Sequence, residues 1–241
     1  MENKSICIIP ARSGSKGLPN KNIKKIGGHS LLSFPIRAAI ASKQFEKVLV
    51  STDSKEYSEI GKKYGADIPF IRPQELSTDA ANSIDVILHA LNYLKDENNE
   101  EYDIVCLLEP TSPFTSAKDI EDSFRELSNN SKARSLVGVG ICESQHPTYL
   151  NLLNKDKFLI PFFKEDKNRH IRRQDIQEQL FFFDGSIYLS YVEELYSKKS
   201  FYHENTIGKI FPKLKNTEID DYEDLLIARA YFKYMQNKKV I

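Results

Sequence analysis

The chain carries no net charge: 34 Lys plus Arg stand against 34 Asp plus Glu in 241 residues. A neutral total provides no global field to recruit nucleic acid or an anionic membrane, so any such attraction has to be local. Long apolar runs are also missing. Stretches such as SICIIPA and IVCLL stop near six or seven residues, far below the ~18 that span a bilayer, and no transmembrane helix is expected. Met1 to Lys4 lead into a strand-like run that breaks at Pro10, without the apolar stretch and small-residue cleavage site of a secretory signal. The expected location is cytoplasmic. Cysteines are few: Cys7, Cys106 and Cys142 are an odd count with no close pair, and the first two lie in apolar runs. They read as reduced core residues, not as a disulfide framework.

Acids are absent locally too. Between Asn3 and Phe45 there is no Asp or Glu, while Lys4, Arg12, Lys16, Lys21, Lys24, Lys25, Arg37 and Lys43 are all basic. That end of the chain calls for an anion. Near the other end, Glu218, Asp220, Asp221, Glu223 and Asp224 crowd five carboxylates into seven residues, a density that repels itself unless a cation or a helix N-terminus offsets it. A polyanion carrying a divalent metal meets both demands, and a nucleoside triphosphate with magnesium is such a ligand.

Forty per cent apolar residues, with 14 Phe and 12 Tyr, supply a substantial core and exclude disorder of the whole. Strand-like and helix-like segments alternate: SICIIP, LLSFPIRAAIAS, KVLVST, SKEYSEIGKKYG closed by Gly65, IPFI, IDVILHALNYLK, DIVCLL, AKDIEDSFRELSN and RSLVGVGI. This order predicts an α/β fold, a Rossmann-like, doubly wound, mostly parallel sheet in one domain over 1–241, with ligands at the carboxyl ends of the strands. The candidate loops are Pro10–Asn22, Ser51–Ser54, Arg72–Ser83 and Glu109–Thr115. Between about Ser144 and Leu180 the pattern breaks into weakly alternating basic segments, the signature of an inserted arm or lid. FFFDGSIYLS then resumes a strand, and Asp220 to Met235 reads as a closing helix.

PARSGSKGLPNKN follows the first strand. Gly14 and Gly17 let the backbone turn and approach a ligand, and Arg12, Lys16 and Lys21 supply charge at staggered reach. The loop is neither a G-x-G-x-x-G fingerprint nor a Walker loop. IIPARSGSKGLPNKNI, together with STD at Ser51–Asp53, RPQELSTDAANS at Arg72–Ser83, LLEPTSPF at Leu107–Phe114 and DGSIY at Asp184–Tyr188, resembles the acylneuraminate cytidylyltransferases (CMP-sialic acid synthetases). Relatives that activate legionaminic acid carry much the same set.

The resemblance implies transfer of CMP from CTP to the anomeric hydroxyl of a nine-carbon 2-keto sugar acid. It implies Arg12 and Lys21 on the triphosphate, with Ala11, Ser15 and Lys16 nearby and Asn22 either on the ribose or capping a turn. Arg72, Ala81 and Ser83 match positions around the cytosine, Ser83 doubling as a helix cap. Asp220 with Glu218 matches a carboxylate pair for magnesium or manganese, one ion or two; in an extended triplet both side chains share a face. Arg12, Lys21 and Asp220 are the implied catalytic set. Glu109, Thr111, Ser112, Arg173, Asp184 and Tyr188 match the sugar pocket. Phe201 and Tyr202 match a pair delivered to the neighbouring subunit, or else pack in the core. With the arm they imply a homodimer with shared sites, an insertion spanning 144–205.

The sequence departs from the family pattern at several positions: Glu218 stands where the family has an Asp, Arg173 is one residue out of spacing with Asp184, Glu109 and Asp184 stand where the family has amides, and Tyr149 where sialate enzymes have a Lys. A pocket more acidic than usual favours a modified sugar carrying an added donor or positive group. Transfer to another base or sugar acid, and nucleotide binding without turnover, are the competing readings.

Overall fold

The computed structural model describes residues 3–143, 146–162 and 179–238. Strand β1 (Ser5–Pro10) is apolar along nearly its whole length because both of its faces are covered. Cys7 and Ile9 enter one core cluster, while Ile6 and Ile8 enter another on the opposite side. β1 pairs in parallel with β4 (Lys47–Ser51) and β5 (Ile104–Leu107), and double coverage is what such central strands require. Cys7 and Cys106 sit side by side in this pairing as free, fully buried thiols.

With β6 (Ser135–Ile141), β9 (Phe181–Tyr191) and β10 (Thr206–Ile210) the described residues form a six-stranded sheet in the order β10-β6-β9-β5-β1-β4. All neighbours are parallel except those of β9, which runs antiparallel to both β5 and β6. Helices α1 (Ser33–Ser42), α2 (Lys55–Lys63) and α4 (Ala117–Asn129) cover one face, and α3 (Ser83–Asn98) with α5 (Val192–Lys198) covers the other. This is the expected doubly wound architecture.

A third cluster joins α6 (Tyr222–Asn237) to the two-stranded ribbon β2 (Lys25–Ile26) and β3 (His29–Ser30). Leu18 of the first loop and Ile219 of the acidic triplet are both members. Burial of these two apolar side chains in one small core therefore draws the basic loop and the acidic segment together.

Three local readings need correction. IPFI is not a strand: Pro69 removes a ladder donor, and only Asp67 bridges to Leu49. The cap of α3 is Asn82, whose side chain accepts from the Ile84 N–H at 2.9 Å, and Ser83 is the first helical residue. The last helix starts at Tyr222, with Asp221 as its cap in a reciprocal capping box with Asp224, the arrangement that makes carboxylates favourable at a helix start.

The arm is described in part, since 144–145 and 163–178 lie outside the described residues. What is described is a short antiparallel hairpin, β7 (Asn151–Leu153) and β8 (Leu159–Pro161), exposed at every position.

Candidate active site

β1, β4 and β5 are parallel, so the loops that follow them emerge at one edge of the sheet. They enclose a cleft of about 450 Å³. Of the residues singled out from sequence, Arg12, Ser15, Lys16, Lys21, Asn22, Arg72, Ala81, Ser83, Glu109, Thr111, Glu218 and Asp220 line it.

The basic loop is held by neighbours on every side. The Ser13 N–H and hydroxyl both donate to the Asp53 carboxylate, at 2.8 and 2.9 Å, which gives the STD segment a bracing role. Asn22 is 5% exposed and donates its amide N–H to the Arg12 carbonyl at 3.0 Å, so its nitrogen braces the turn. Ala11 is fully buried, and its N–H donates to the Ser51 carbonyl, a contact that holds the start of the loop to β4. Gly17 is needed because a Cβ there would lie 2.6 Å from the Asp220 carbonyl oxygen. The close approach it permits here is to the acidic segment, and Gly17 also lines the cleft. Lys21 completes this junction, its Nζ donating to Asp220 Oδ1 at 2.9 Å across 199 positions of sequence.

Around the acidic triplet the expected alternation holds without a strand: Ile219 is fully buried while Glu218 and Asp220 face the cleft. The Ile219 N–H donates to the Thr111 carbonyl at 3.0 Å, tying the triplet to the loop after β5. Glu109, on that loop, has its pKa pushed up to about 7, first by burial and then by Glu218, against the pull of Lys21. Glu218 is likewise raised, by burial and then by Asp220. Carboxylates repel one another here, and Lys21 is the cation that opposes them. Among the described residues no three His, Cys, Asp or Glu converge as a ready metal site.

At the far wall, Arg72 is 4% exposed and its Nε and Nη2 have no hydrogen-bond partner. Burial pulls its pKa down to about 10, with Asp53 opposing and Arg12 adding to the fall. Unsatisfied buried donors of this kind are costly unless a ligand accepts from them. Ala81 and Ser83 lie on the same side.

The remaining positions divide. Ser112 is 3% exposed with an unpartnered hydroxyl, beside Gly185, where a Cβ would lie 3.0 Å from that hydroxyl and 3.5 Å from the Glu218 carboxyl. Asp184 turns inward: it is 2% exposed and accepts from the Ser186 N–H and hydroxyl at 3.0 and 2.5 Å. Turning the Asn216 amide so that its nitrogen faces Asp184, the orientation that satisfies both ends of the amide, adds a third bond at 2.9 Å. Its carboxylate thus braces the Gly185 turn (φ 70°) and is not offered to a ligand. Tyr188 is buried, with its hydroxyl pKa raised by burial and by Glu109. Phe201 packs against Tyr188 in the chain's own core, 3% exposed, so it does not reach across to a neighbour. Tyr202 is exposed and stacks on Phe183 with ring centroids 4.2 Å apart. Arg173 lies outside the described residues.

Sequence reasoning missed two acids. Asp53 holds the basic loop, and Asp79 pairs with Arg12 and Lys16. Both end an S-T-D string facing a loop without acids, and that repetition was the available signal.

The cytidylyltransferase family pattern matches residues 6–240. N-acylneuraminate cytidylyltransferase of Escherichia coli O18:K1:H7 is 35% identical over 228 residues, 95% of this chain and 52% of that protein; the chain spans about half the length of that relative. CMP-N,N'-diacetyllegionaminic acid synthase of Legionella pneumophila is 31% identical over 202 residues, 83% of this chain and 84% of that protein. The solved structure of CMP:2-keto-3-deoxy-manno-octonic acid synthetase complexed with CTP aligns with a TM-score of 0.67 at 16% identity, over 96% of this chain and 99% of that one, a likeness of fold. With this match over nearly its full length and a basic loop, a buried arginine and an acidic triplet lining one cleft, the chain belongs to the cytidylyltransferase family.

Proposed function

We propose that this chain transfers CMP from CTP to the anomeric hydroxyl of a nine-carbon 2-keto sugar acid and releases pyrophosphate. The observation that carries the reading is the 2.9 Å contact between Lys21 and Asp220, which joins the cationic loop to the acidic triplet at one cleft. The names of the two relatives support the class of acceptor.

In this reading the triphosphate lies along the first loop. Arg12 and Lys21 bind it and offset the charge that grows on the departing pyrophosphate, so they stabilise the transition state more than the bound nucleotide. Arg72 offers its unpartnered donors to the acceptor edge of cytosine, and Ala81 permits close approach of the base while a purine is excluded by size. The hydroxyl attacks the α-phosphorus in line and gives its proton to solvent; the new O–P bond forms as the bond from the α-phosphorus to the bridging oxygen breaks, and pyrophosphate leaves with that oxygen.

The donor set suits a hard divalent cation. Glu218 and Asp220 face the cleft, with Lys21 against their charge among the described residues, and oxygen ligands of this kind are what magnesium or manganese takes. Bound there, the ion would neutralise phosphate charge and acidify a coordinated hydroxyl. Glu218 and Asp220 would hold it, and Lys21, freed from Asp220, would turn to the phosphates.

The sugar end is formed by Glu109, Thr111 and Ser112. An ionisable acid at this wall favours a sugar bearing an extra N–H or ammonium donor. The arm supports a homodimer: Leu153, Phe158 and Leu159 are 65–69% exposed, a concentration of apolar surface that marks an interface.

One mass spectrum tests the reading. CTP, magnesium and a panel of nine-carbon acids should yield a CMP-sugar, with UTP, GTP and dTTP giving none. Absence of any CMP-sugar would refute the transfer, and a clear preference for N-acetylneuraminate would refute the modified sugar.

A further inference from the structure

Each of the three cations that the first loop presents to the cleft is already paired with a carboxylate of this chain. Lys21 holds Asp220. Arg12 Nη1 lies 2.6 Å from one oxygen of Asp79, and Lys16 Nζ lies 2.5 Å from the other. We infer that Asp79 is a positioning residue that stands in for phosphate: its carboxylate bridges Arg12 and Lys16 as two phosphate oxygens would, and a nucleotide binds by exchanging phosphate for it. The inference rests on the cleft being a triphosphate site.

The geometry favours exchange over a permanent strut. Asp79 is 41% exposed, with Arg12 at 33% and Lys16 at 83%, and exposed pairs of this kind contribute little. Release of the carboxylate to water therefore carries a small desolvation change. The loop has other anchors, since Ser13 is fixed by Asp53 and Gly17 packs on the Asp220 backbone. Asp79 also lies between Arg72 and Ser83, on the loop assigned to the base, so its bridge keeps the phosphate and base loops aligned before the nucleotide arrives. Both cations hold the Asp79 pKa below the usual carboxylate range, so the bridge is ionic at neutral pH.

Calorimetric titration of the full chain with inorganic pyrophosphate and with CTP reads the exchange. D79N should bind pyrophosphate roughly three- to tenfold more tightly than wild type, the span expected from two exposed ion pairs. Its KM for CTP should fall by more than its kcat changes. D79E, which keeps the charge on a longer arm, should return affinity toward wild type. Unchanged or weaker pyrophosphate binding in D79N would overturn the inference, as would D79E binding as tightly as D79N. D79S provides the same comparison should D79N fail to fold. A wild-type chain that binds neither ligand would refute the triphosphate site itself, an outcome distinct from an equal affinity of wild type and D79N.

Discussion

Strand β9 passes through two surroundings. Asp184 to Ser190 are buried between β5 and β6, whereas Phe181, Phe182 and Phe183 are 44, 43 and 54% exposed. The buried half belongs to the cleft end of the molecule, where Lys21 meets Asp220, Ser13 meets Asp53 and a small apolar core binds the loops. The β7–β8 hairpin is likewise exposed: its leucines, and Phe158 between its strands, face water. One end is completed by this chain's own residues; the other carries apolar surface whose burial would be favourable by about 25 cal/mol per Å². In the proposed reading the cleft works within the single chain, and the hairpin end is where a second chain would dock.

The sharpest way to break this division is to remove the charges that close the cleft. D220N and K21M should each lower turnover about 10²- to 10³-fold at saturating CTP, the loss typical of a single transition-state electrostatic contact, with a much smaller change in KM for CTP. Pyrophosphate release measures both. Wild-type turnover in both variants would dissolve the link between charge closure and chemistry. G17A comes next. A methyl 2.6 Å from the Asp220 carbonyl oxygen must push the loop off the acidic segment, and a displacement of about 1 Å costs roughly tenfold to a hundredfold in rate. A G17A chain of unaltered activity would show that this close packing does not position the reacting groups.

Why the cleft end was readable follows from its physics. Strands buried on both faces leave continuous apolar runs such as SICIIP, and the loops after parallel strands fall at one edge. The triplet Glu218-Ile219-Asp220 reveals its own alternation. Other features leave no trace in local pattern. A strand reads the same in either direction, so the antiparallel run of β9 was not visible. Asn82 and Ser83 are both good caps, and only the backbone conformation separates them. Asp184 was read as a ligand group because nothing nearby in sequence foretells Asn216, which turns it inward. Asp79 was passed over because its partners lie in another loop. The aromatic pair Phe201–Tyr202 divides, one ring in the core and one exposed, a choice fixed by Tyr188 and Phe183.

For the exposed end, L159D places a charge on a residue that is 69% exposed in the single chain, so the monomer fold should be little affected. If the hairpin is an interface, the variant should raise the dimer dissociation constant by at least about tenfold, read by analytical ultracentrifugation with turnover measured at matched concentrations. A wild-type chain that sediments as a monomer at micromolar concentration would remove the shared-site idea and leave the apolar arm to some other partner.

The smallest effect separates the two ends by their response to pH. Burial and Glu218 hold the Glu109 carboxyl up to about 7, from an ordinary 4.5, so between those values the folded chain keeps a proton that the unfolded chain has released. The stability this group contributes is whole below about 4.5 and is lost as pH rises through about 7. E109Q keeps the shape and removes that loss. With the shift discounted for water reaching the cleft, the gain at pH 8 is about 1 kcal/mol, or roughly 2–4 °C in Tm for a chain of this size, shrinking toward nothing at pH 5. Thermal melts at the two pH values, without nucleotide or metal, read the difference directly. An equal gain at both would mean that glutamine merely packs better and that Glu109 ionises freely. A gain confined to high pH would identify the acidic floor as the strained part of an otherwise self-sufficient end, the part that a cation or donor group of the substrate would relieve.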